Sequence, residues 1–314
     1  MKRQFLSIII FNVLLTLPFY LAPSFPYQYE LAVCAIFQNE ERFLKEWIEF
    51  HKLVGVQHFF LYNNNSTDQF MTIIKPYIER GVIDLYDWNF DNKSLNAQIA
   101  AYNDSMQRNT GKVKWIAFLD LDEYLYPVRI DNLITFLRDY EECAELSVNW
   151  VMFGTSDVEK IPKDGLMLEH LTKCDAQGNK HVKSIVRPER VFPFINPHFA
   201  QCRHKFYQVN PDNVGFSGTY SPYISLDKIR INHYWTRDKE WLTKVKIPRA
   251  IALNTNLMVN DDTAWYLNRH DSWNMTPEEW VMAVSKRINI SEDRTIQKYL
   301  PALQAIMCNQ NKLQ

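Results

Sequence analysis

The sequence predicts an α/β protein, in which a mostly parallel, Rossmann-like sheet is flanked by helices in a single domain after an N-terminal hydrophobic segment. Short apolar runs alternate with amphipathic stretches along the first half of the chain, as in parallel strands that are buried on both faces. Polar clusters follow three of these runs, at 38–40, 63–68 and 120–123. Ligands of such sheets bind at the carboxyl ends of the strands, so the clusters predict one shared site.

The elements follow from periodicity and from residues that begin or end helices. Strands are predicted at 31–37, 58–62, 82–86, 115–119, 145–151 and 230–234. Helices are predicted at 40–54, 69–75, 92–108, from Thr276, and at 293–307. Asn39 is expected to cap the first helix, Gly55 to end it, and Pro76 to follow the second. A capping box marks Thr276, whereas residues 161–223 predict loops and short strands.

Composition narrows the classes of function. The 314 residues are 46% hydrophobic and 23% charged, and the formal net charge is −1. Without a basic field, nucleic acid is not an expected partner. The five cysteines form no CxxC pair, which argues against a zinc knuckle or a redox motif and leaves disulfides open.

The N-terminus resembles an export signal. Basic residues at Lys2 and Arg3 precede an apolar run over 5–22, which is near the minimum length that crosses a bilayer. The segment 1–24 is either a signal anchor or a signal peptide cleaved before Phe25, and a buried helix of a cytosolic protein is the alternative.

The motif Asp120-Leu121-Asp122 is the sharpest chemical signal. It follows an apolar strand, so that two carboxylates are placed close together just beyond the sheet. Two such charges favour a bound cation, and oxygen ligands suit Mn²⁺ or Mg²⁺, which would also bind a diphosphate. A solvated acidic turn is the alternative interpretation.

Several motifs, in order along residues 31–250, resemble glycosyltransferase family 92 and the related family-2-like transferases. They are the runs 34–41, 46–51, 55–56, 58–64, 98–104, 118–124, 149–150, 153–154, 183–188 and 231–234. The resemblance implies a GT-A fold, a sugar-nucleotide donor (UDP-galactose in some members), dependence on Mn²⁺, and inversion at the anomeric carbon. It sets the catalytic domain at 30–250, with 251–314 as a C-terminal helical extension packed on the same domain.

The resemblance also assigns roles to the metal and donor residues. Asp120 would contact the ribose or the metal, Asp122 would bind the metal, and His233 would complete the site, with His198 as the competing candidate. The loops that hold the base and ribose would present Asn39, Asn64 and Asp68, although turn chemistry explains these residues equally well. The predicted third helix would bring further donor contacts, which are Gln98, Tyr102 and Arg108.

Other residues complete the predicted reaction. Inversion needs a general base for the acceptor hydroxyl, for which Asp157 and Glu169 are the candidates. Three basic residues are candidate phosphate partners: Lys183, Arg187 and Arg237.

The sequence therefore predicts a metal-dependent inverting transferase that moves a hexose, with galactose favoured, from a UDP-sugar to a glycan hydroxyl. A metal-dependent hydrolase or phosphotransferase and a catalytically inactive protein that binds carbohydrate or nucleotide are the alternatives. The expected partners are the nucleotide-sugar donor, a glycan acceptor and a membrane through the N-terminal segment. The expected location is membrane-anchored or secreted: the Golgi lumen (type II) in a eukaryote, or the cell envelope or exterior in a bacterium.

Overall fold

The computed structural model describes residues 27–90, 96–252 and 275–311. The predicted signal anchor or signal peptide lies outside these residues. Among the described residues, no helix combines the length and the apolar character needed to span a bilayer.

The described residues form a large mixed sheet with helices on both faces. The strands are β1 (Tyr29–Phe37), β2 (His58–Asn63), β3 (Ile83–Asp87), β4 (Val113–Phe118), β5 (Glu123–Pro127), β6 (Glu145–Met152), β7 (Lys173–Cys174), β8 (Asn179–Val186), β9 (Gln208–Val209), β10 (Gly215–Phe216), β11 (Ile229–His233) and β12 (Ser291–Glu292). The α-helices are α1 (Glu41–Leu53), α2 (Phe70–Glu79), α3 (Asn96–Asn109), α4 (Leu133–Leu137), α5 (Met167–His170), α6 (Lys239–Trp241), α7 (Ile247–Ala252), α8 (Pro277–Ile288) and α9 (Leu300–Asn311). Short 3-10 turns span Arg138–Tyr140, Pro188–Arg190 and Thr295–Tyr299, and a π-helical turn, Leu242–Lys246, joins α6 to α7.

The sheet has a parallel half and a mixed half. Strands β3, β2, β1 and β4 lie side by side and parallel. Strand β8 then runs antiparallel between β4 and β6, and β11 lies parallel to β6 and antiparallel to β5. The carboxyl ends of β1, β2, β4, β6 and β11 therefore meet at one edge together with the start of β5. The predicted fold class, a single α/β domain, is confirmed.

Burial explains the unbroken apolar runs. Along β1, Leu31 and Val33 belong to the core that α1 covers, whereas Ala32 and Cys34 belong to the core that α3 covers. Because both faces are buried, consecutive positions must be apolar.

The C-terminal helices pack on the same core as α1. Trp280, Val284 and Leu303 are buried in that core together with the first strands. Helix α8 begins with the predicted capping box: the Thr276 hydroxyl accepts from the backbone N–H of Glu279, whose carboxylate accepts from the N–H of Thr276.

Four local predictions are wrong. Helix α2 continues through Pro76 to Glu79. Strand β5 begins directly after the Asp-x-Asp turn, and β8 is a long, buried strand inside the stretch predicted to be irregular. Asn39 does not cap α1, because its φ is 56° and its side chain binds another loop; the carboxylate of Asp68 accepts from the N–H of Glu41 instead, at 2.8 Å.

Candidate active site

A short turn from β4 to β5 carries the Asp-x-Asp motif to the sheet edge. Glu123 closes this turn, because its Oε2 accepts from the backbone N–H of Asp120 at 2.9 Å. The backbone carbonyl of Glu123 accepts from the indole N–H of Trp47 at 2.8 Å, which ties the turn to α1. Two elements of the core thus fix the position of both aspartates.

Protein donors hold both carboxylate oxygens of Asp120. Gln98 Nε2 donates to Oδ1 at 2.6 Å, and Lys183 Nζ donates to Oδ2 at 2.9 Å. Gln98 also reaches the hydroxyl of Tyr102 at 2.8 Å. Helix α3 and strand β8 therefore orient Asp120 from two sides.

Lys183 is buried between acidic groups. Its side chain is 1% exposed, and Nζ lies 3.7 Å from Oε2 of Glu123, which is fully buried. Burial alone lowers the pKa of this lysine, but Asp120 and Glu123 outweigh burial and hold the pKa well above its usual value. Lys183 is therefore a charged partner of the acidic turn.

Asp122 faces His233 across the edge. His233 Nε2 lies 3.4 Å from Asp122 Oδ1, and the backbone N–H of Tyr234 donates to the carbonyl of Asp122 at 2.7 Å. Burial raises the pKa of Asp122, but the contact with His233 and the charges of Lys246 and Arg237 outweigh burial and hold it far below its ordinary value. Asp122 is therefore a carboxylate at any physiological pH.

The Asp122–His233 pair fits a divalent ion. Two ligands at ~2.1 Å from an octahedral ion lie about 3 Å apart, which is close to the distance between Asp122 and His233. The Nδ1 atom of His233 lies 3.9 Å from Oε1 of Glu123, beyond hydrogen-bond distance. Within the described residues, no group of three or more His, Cys, Asp or Glu is arranged to hold an ion alone. A metal here would take further ligands from a substrate.

Two cations stand beside Asp122. Lys246 Nζ lies 4.0 Å from Asp122 Oδ2, and Nη2 of Arg237 pairs with Glu40 Oε2 at 2.5 Å. Burial raises the pKa of Glu40 and the charge of Arg237 opposes this rise. The edge therefore balances acidic groups against fixed positive charge.

The loops after β1 and β2 lock onto each other. The Asn39 side-chain oxygen accepts from the backbone N–H groups of Thr67 and Asp68, at 2.7 and 3.3 Å. The Asn64 oxygen accepts from the N–H of Phe90 at 3.3 Å. Asn39, Asn64 and Asp68 therefore form turns, which is one of the two roles that the sequence left open for them. The same loops lie where a base and ribose are expected.

Comparison with known proteins decides the family. The model of glycosyltransferase family 92 matches residues 28–217, which is more than half of the chain. The chain belongs to glycosyltransferase family 92. A family 92 protein of Ricinus communis is 29% identical over 232 residues, which cover 71% of this chain and 38% of that protein. The β-1,4-galactosyltransferase galt-1 of Caenorhabditis elegans is 30% identical over 226 residues, which cover 68% of this chain and 50% of galt-1.

The chain thus spans half or less of the length of these two family 92 relatives. Among solved structures, that of TarS residues 1–349 from S. aureus has a TM-score of 0.39 at 13% identity, covering 77% of this chain and 68% of that one. A TM-score below 0.5 adds nothing to the family assignment.

Family membership leaves each predicted site residue to be judged by position. The edge brings together Gln98, Tyr102, Asp120, Asp122 and His233. His233 contacts Asp122, whereas the Nδ1 of His198 faces the carbonyl of Val182 at 3.1 Å and its ring packs on Trp150. The geometry thus favours His233 over His198.

Three predicted residues lie elsewhere in this family 92 chain. Arg108 Nε donates to Asp104 at 2.6 Å, and Arg108 lies ten residues, or about 15 Å, along α3 from Gln98, away from the edge that carries Asp120. Asp157 is exposed and paired with Lys173, and Glu169 is exposed on α5. Neither of these two carboxylates contacts Asp120, Asp122 or His233 among the described residues.

Sequence reasoning missed Lys246 as part of the site. Glu40 and Glu123 stand in the polar clusters 38–40 and 120–123 that predicted the site, but the sequence assigned neither of them a role. Lys246 lies in an apolar and basic stretch, and nothing in its sequence context marks it.

Proposed function

We propose that this family 92 chain transfers a hexose, with galactose favoured, from a UDP-sugar to a glycan hydroxyl, with inversion and with Mn²⁺ or Mg²⁺ bound. The carrying observation is the Asp122–His233 pair at the carboxyl edge of the sheet, with 3.4 Å between Oδ1 and Nε2. Galactosyltransferase relatives support the choice of sugar. Such a metal supplies Lewis-acid stabilisation of the leaving diphosphate when it is bound.

The positions of the site residues assign each of them a role in binding the metal or the donor. Asp122 and His233 would hold the ion, and Asp120, oriented by Gln98 and Lys183, would accept hydrogen bonds from the ribose. The interlocked loops of Asn39 and Asn64 would form the floor under the base. This division uses one carboxylate of the motif for the metal and the other for the nucleoside.

The acceptor hydroxyl must lose its proton as the new bond forms. Asp157 and Glu169 are the proposed bases. A hydrogen bond and ion pair from Lys173 lower the pKa of Asp157, which makes it a weak base in this conformation. Glu169, exposed on α5, is the other candidate.

The proposal includes export of the catalytic domain by the N-terminal segment. The chain would then be membrane-anchored or secreted and would meet its glycan acceptor outside the cytosol.

Release of nucleotide from a panel of UDP- and GDP-sugars, with Mn²⁺ or with EDTA, tests the proposed function. We expect release from UDP-galactose that needs the metal and falls on the order of 100-fold in Asp122→Ala and His233→Ala. Asp227→Asn is the matched control, because the Asp227 side chain is 87% exposed and lies 3.8 Å from Nη2 of Arg129.

Metal-independent release, or full activity in Asp122→Ala, would refute the metal assignment. Absence of release together with metal-dependent binding of UDP-galactose would favour a protein that binds nucleotide without transferring sugar.

A further inference from the structure

Arg237 is a buried guanidinium with unused hydrogen-bonding capacity. Its side chain is 2% exposed and lies between two aromatic rings, 4.2 Å from the centre of Phe43 and 4.3 Å from that of Trp241. Glu40 takes Nη2, but Nε and Nη1 meet no hydrogen-bond acceptor among the described residues. A buried donor without an acceptor is costly, which indicates that an anionic ligand completes this site.

The backbone directs Arg237 toward the metal pair. Asp122 accepts from the N–H of Tyr234, whose own carbonyl accepts from the N–H of Arg237 at 3.1 Å. Arg237 has a φ of 53°, in the left-handed region that residues other than glycine seldom adopt. The chain therefore turns back sharply after β11, and this turn holds Arg237 beside Asp122.

Lys246 reaches the same place from the next element. The π-helical turn ends at Lys246, whose Nζ lies 4.6 Å above the ring of Trp235 and 4.0 Å from Asp122. Its side chain is 24% exposed, so an incoming ligand can reach it. π-helical turns inside α-helices are frequent at functional sites.

Lys183 is the third cation at this edge of the sheet. It is 1% exposed and pairs with Asp120 and Glu123, so that its charge is already paired within the acidic turn. Arg237 and Lys246 are two cations near Asp122 whose charge can serve a ligand.

We propose that Arg237 and Lys246 bind the diphosphate of the donor and stabilise it as the leaving group. In the transfer, the bond between sugar C1 and the β-phosphate oxygen breaks and leaves its electron pair on that oxygen. The acceptor oxygen bonds to C1, and its proton passes to the base. Negative charge grows on the diphosphate, where fixed cations stabilise it. This inference rests on the proposed function, because it requires a nucleoside diphosphate donor.

Calorimetry with UDP, UMP and uridine, beside the kinetics of UDP-galactose hydrolysis, tests the role of the two cations. Lys246→Met should weaken UDP binding about tenfold, weaken UMP binding less, and leave uridine unchanged, as expected when one charge-assisted phosphate contact is lost. Arg237→Lys should do the same and lower kcat. Lys244→Met is the matched control, since Lys244 is 70% exposed on the same helical turn and pairs with Glu240.

Because Lys246 is only partly buried, Lys246→Met still tests the inference if Arg237→Lys does not fold. Wild-type affinity for UDP in Lys246→Met, with activity present in the wild type, would overturn the inference and leave the proposed function standing. If the wild-type protein neither binds UDP nor releases nucleotide, the proposed function itself fails.

Discussion

Lys183 shows how one buried side chain can support a whole acidic turn. Its side chain is 1% exposed and lies between Asp120 and Glu123. The sequence made Lys183 a candidate phosphate partner. In the structure Lys183 is buried and pairs with carboxylates of the protein itself. A sequence gives the residue type and the spacing, whereas the solvent exposure that distinguishes these two roles depends on the packed fold.

Replacing Lys183 with methionine should destabilise the fold by about 3–5 kcal/mol, because the fully buried Glu123 and the adjacent Asp120 lose their counter-charge. Lys228→Met is the matched control: Lys228 forms a pair with Asp212 at 2.9 Å, and both side chains are well exposed. The control should cost less than about 1 kcal/mol. The measurement is urea unfolding of the two variants. Equal losses of unfolding free energy in the two variants would show that burial does not determine how strongly the Lys183 contacts stabilise the fold.

Among the site residues, those next to a recognised motif could be predicted best. Asp122 and His233 were placed by the motif and by the end of a strand, and the structure brings them together. Arg108 was misplaced because helical spacing says which residues share a face and does not say how far along the helix the ligand lies. Asn39 was predicted to cap α1, but Asp68 caps this helix from the loop after β2. A cap from a neighbouring loop cannot be recognised in the local sequence.

At the scale of elements, the parallel strands were predicted because burial on both faces leaves an apolar run. Strand β8 was not predicted, because its lysine, histidine and serine residues interrupt the apolar pattern. Its Lys183 and Ser184 are buried, but each has a partner from another strand or loop. Polar residues in a buried strand are stable only with such partners, and long-range partners are invisible to periodicity. Strand β5 was missed because it follows the motif without a break.

The end of β6 and the end of α8 meet at Gly154. A Cβ on Gly154 would lie 2.9 Å from both Cβ and Oδ1 of Asn289, and 3.1 Å from its Cα. The Asn289 side chain also accepts from the backbone N–H of Ser156 at 2.7 Å. The end of α8 thus secures the loop that carries Asp157, and the contact leaves no room for a methyl group.

Gly154→Ala should therefore destabilise the protein by about 1–3 kcal/mol, the usual cost of forcing extra volume into a packed contact. At Gly215, the added Cβ would have its nearest neighbour 3.9 Å away, so Gly215→Ala should change stability by less than about 0.5 kcal/mol. Thermal unfolding of both variants measures the difference. A Gly154→Ala variant as stable as Gly215→Ala would mean that the two elements separate easily.

At the scale of the whole molecule, buried ionisable groups couple stability to pH in opposing directions. Burial raises the pKa of Glu46 and of Glu145 to about 7, although backbone or hydroxyl donors to each carboxylate oppose this. Burial lowers the pKa of His51 to about 3, with the carbonyl of Trp47 opposing. The glutamates bind more protons in the folded state and the histidine fewer, so their contributions partly cancel in the total.

A single substitution separates one of these contributions from the total. Glu145 accepts from the hydroxyls of Ser147 and Ser184 and from the N–H of Ala200. Its folded pKa of about 7 exceeds the ordinary 4.5. The stability it contributes is therefore full below about pH 4.5 and is lost as pH rises through 7. Glutamine keeps the shape of the neutral acid and does not titrate.

Relative to the wild type, Glu145→Gln should become more stable by up to about 3 kcal/mol between about pH 4 and pH 8. His51 titrates equally in both proteins and drops out of the difference. Urea unfolding of the two proteins at several pH values gives this difference directly. A difference that is flat with pH would mean that Glu145 titrates in the folded protein as it does in the unfolded chain. A difference that falls with pH would mean that its three donors outweigh burial and keep the folded carboxylate charged.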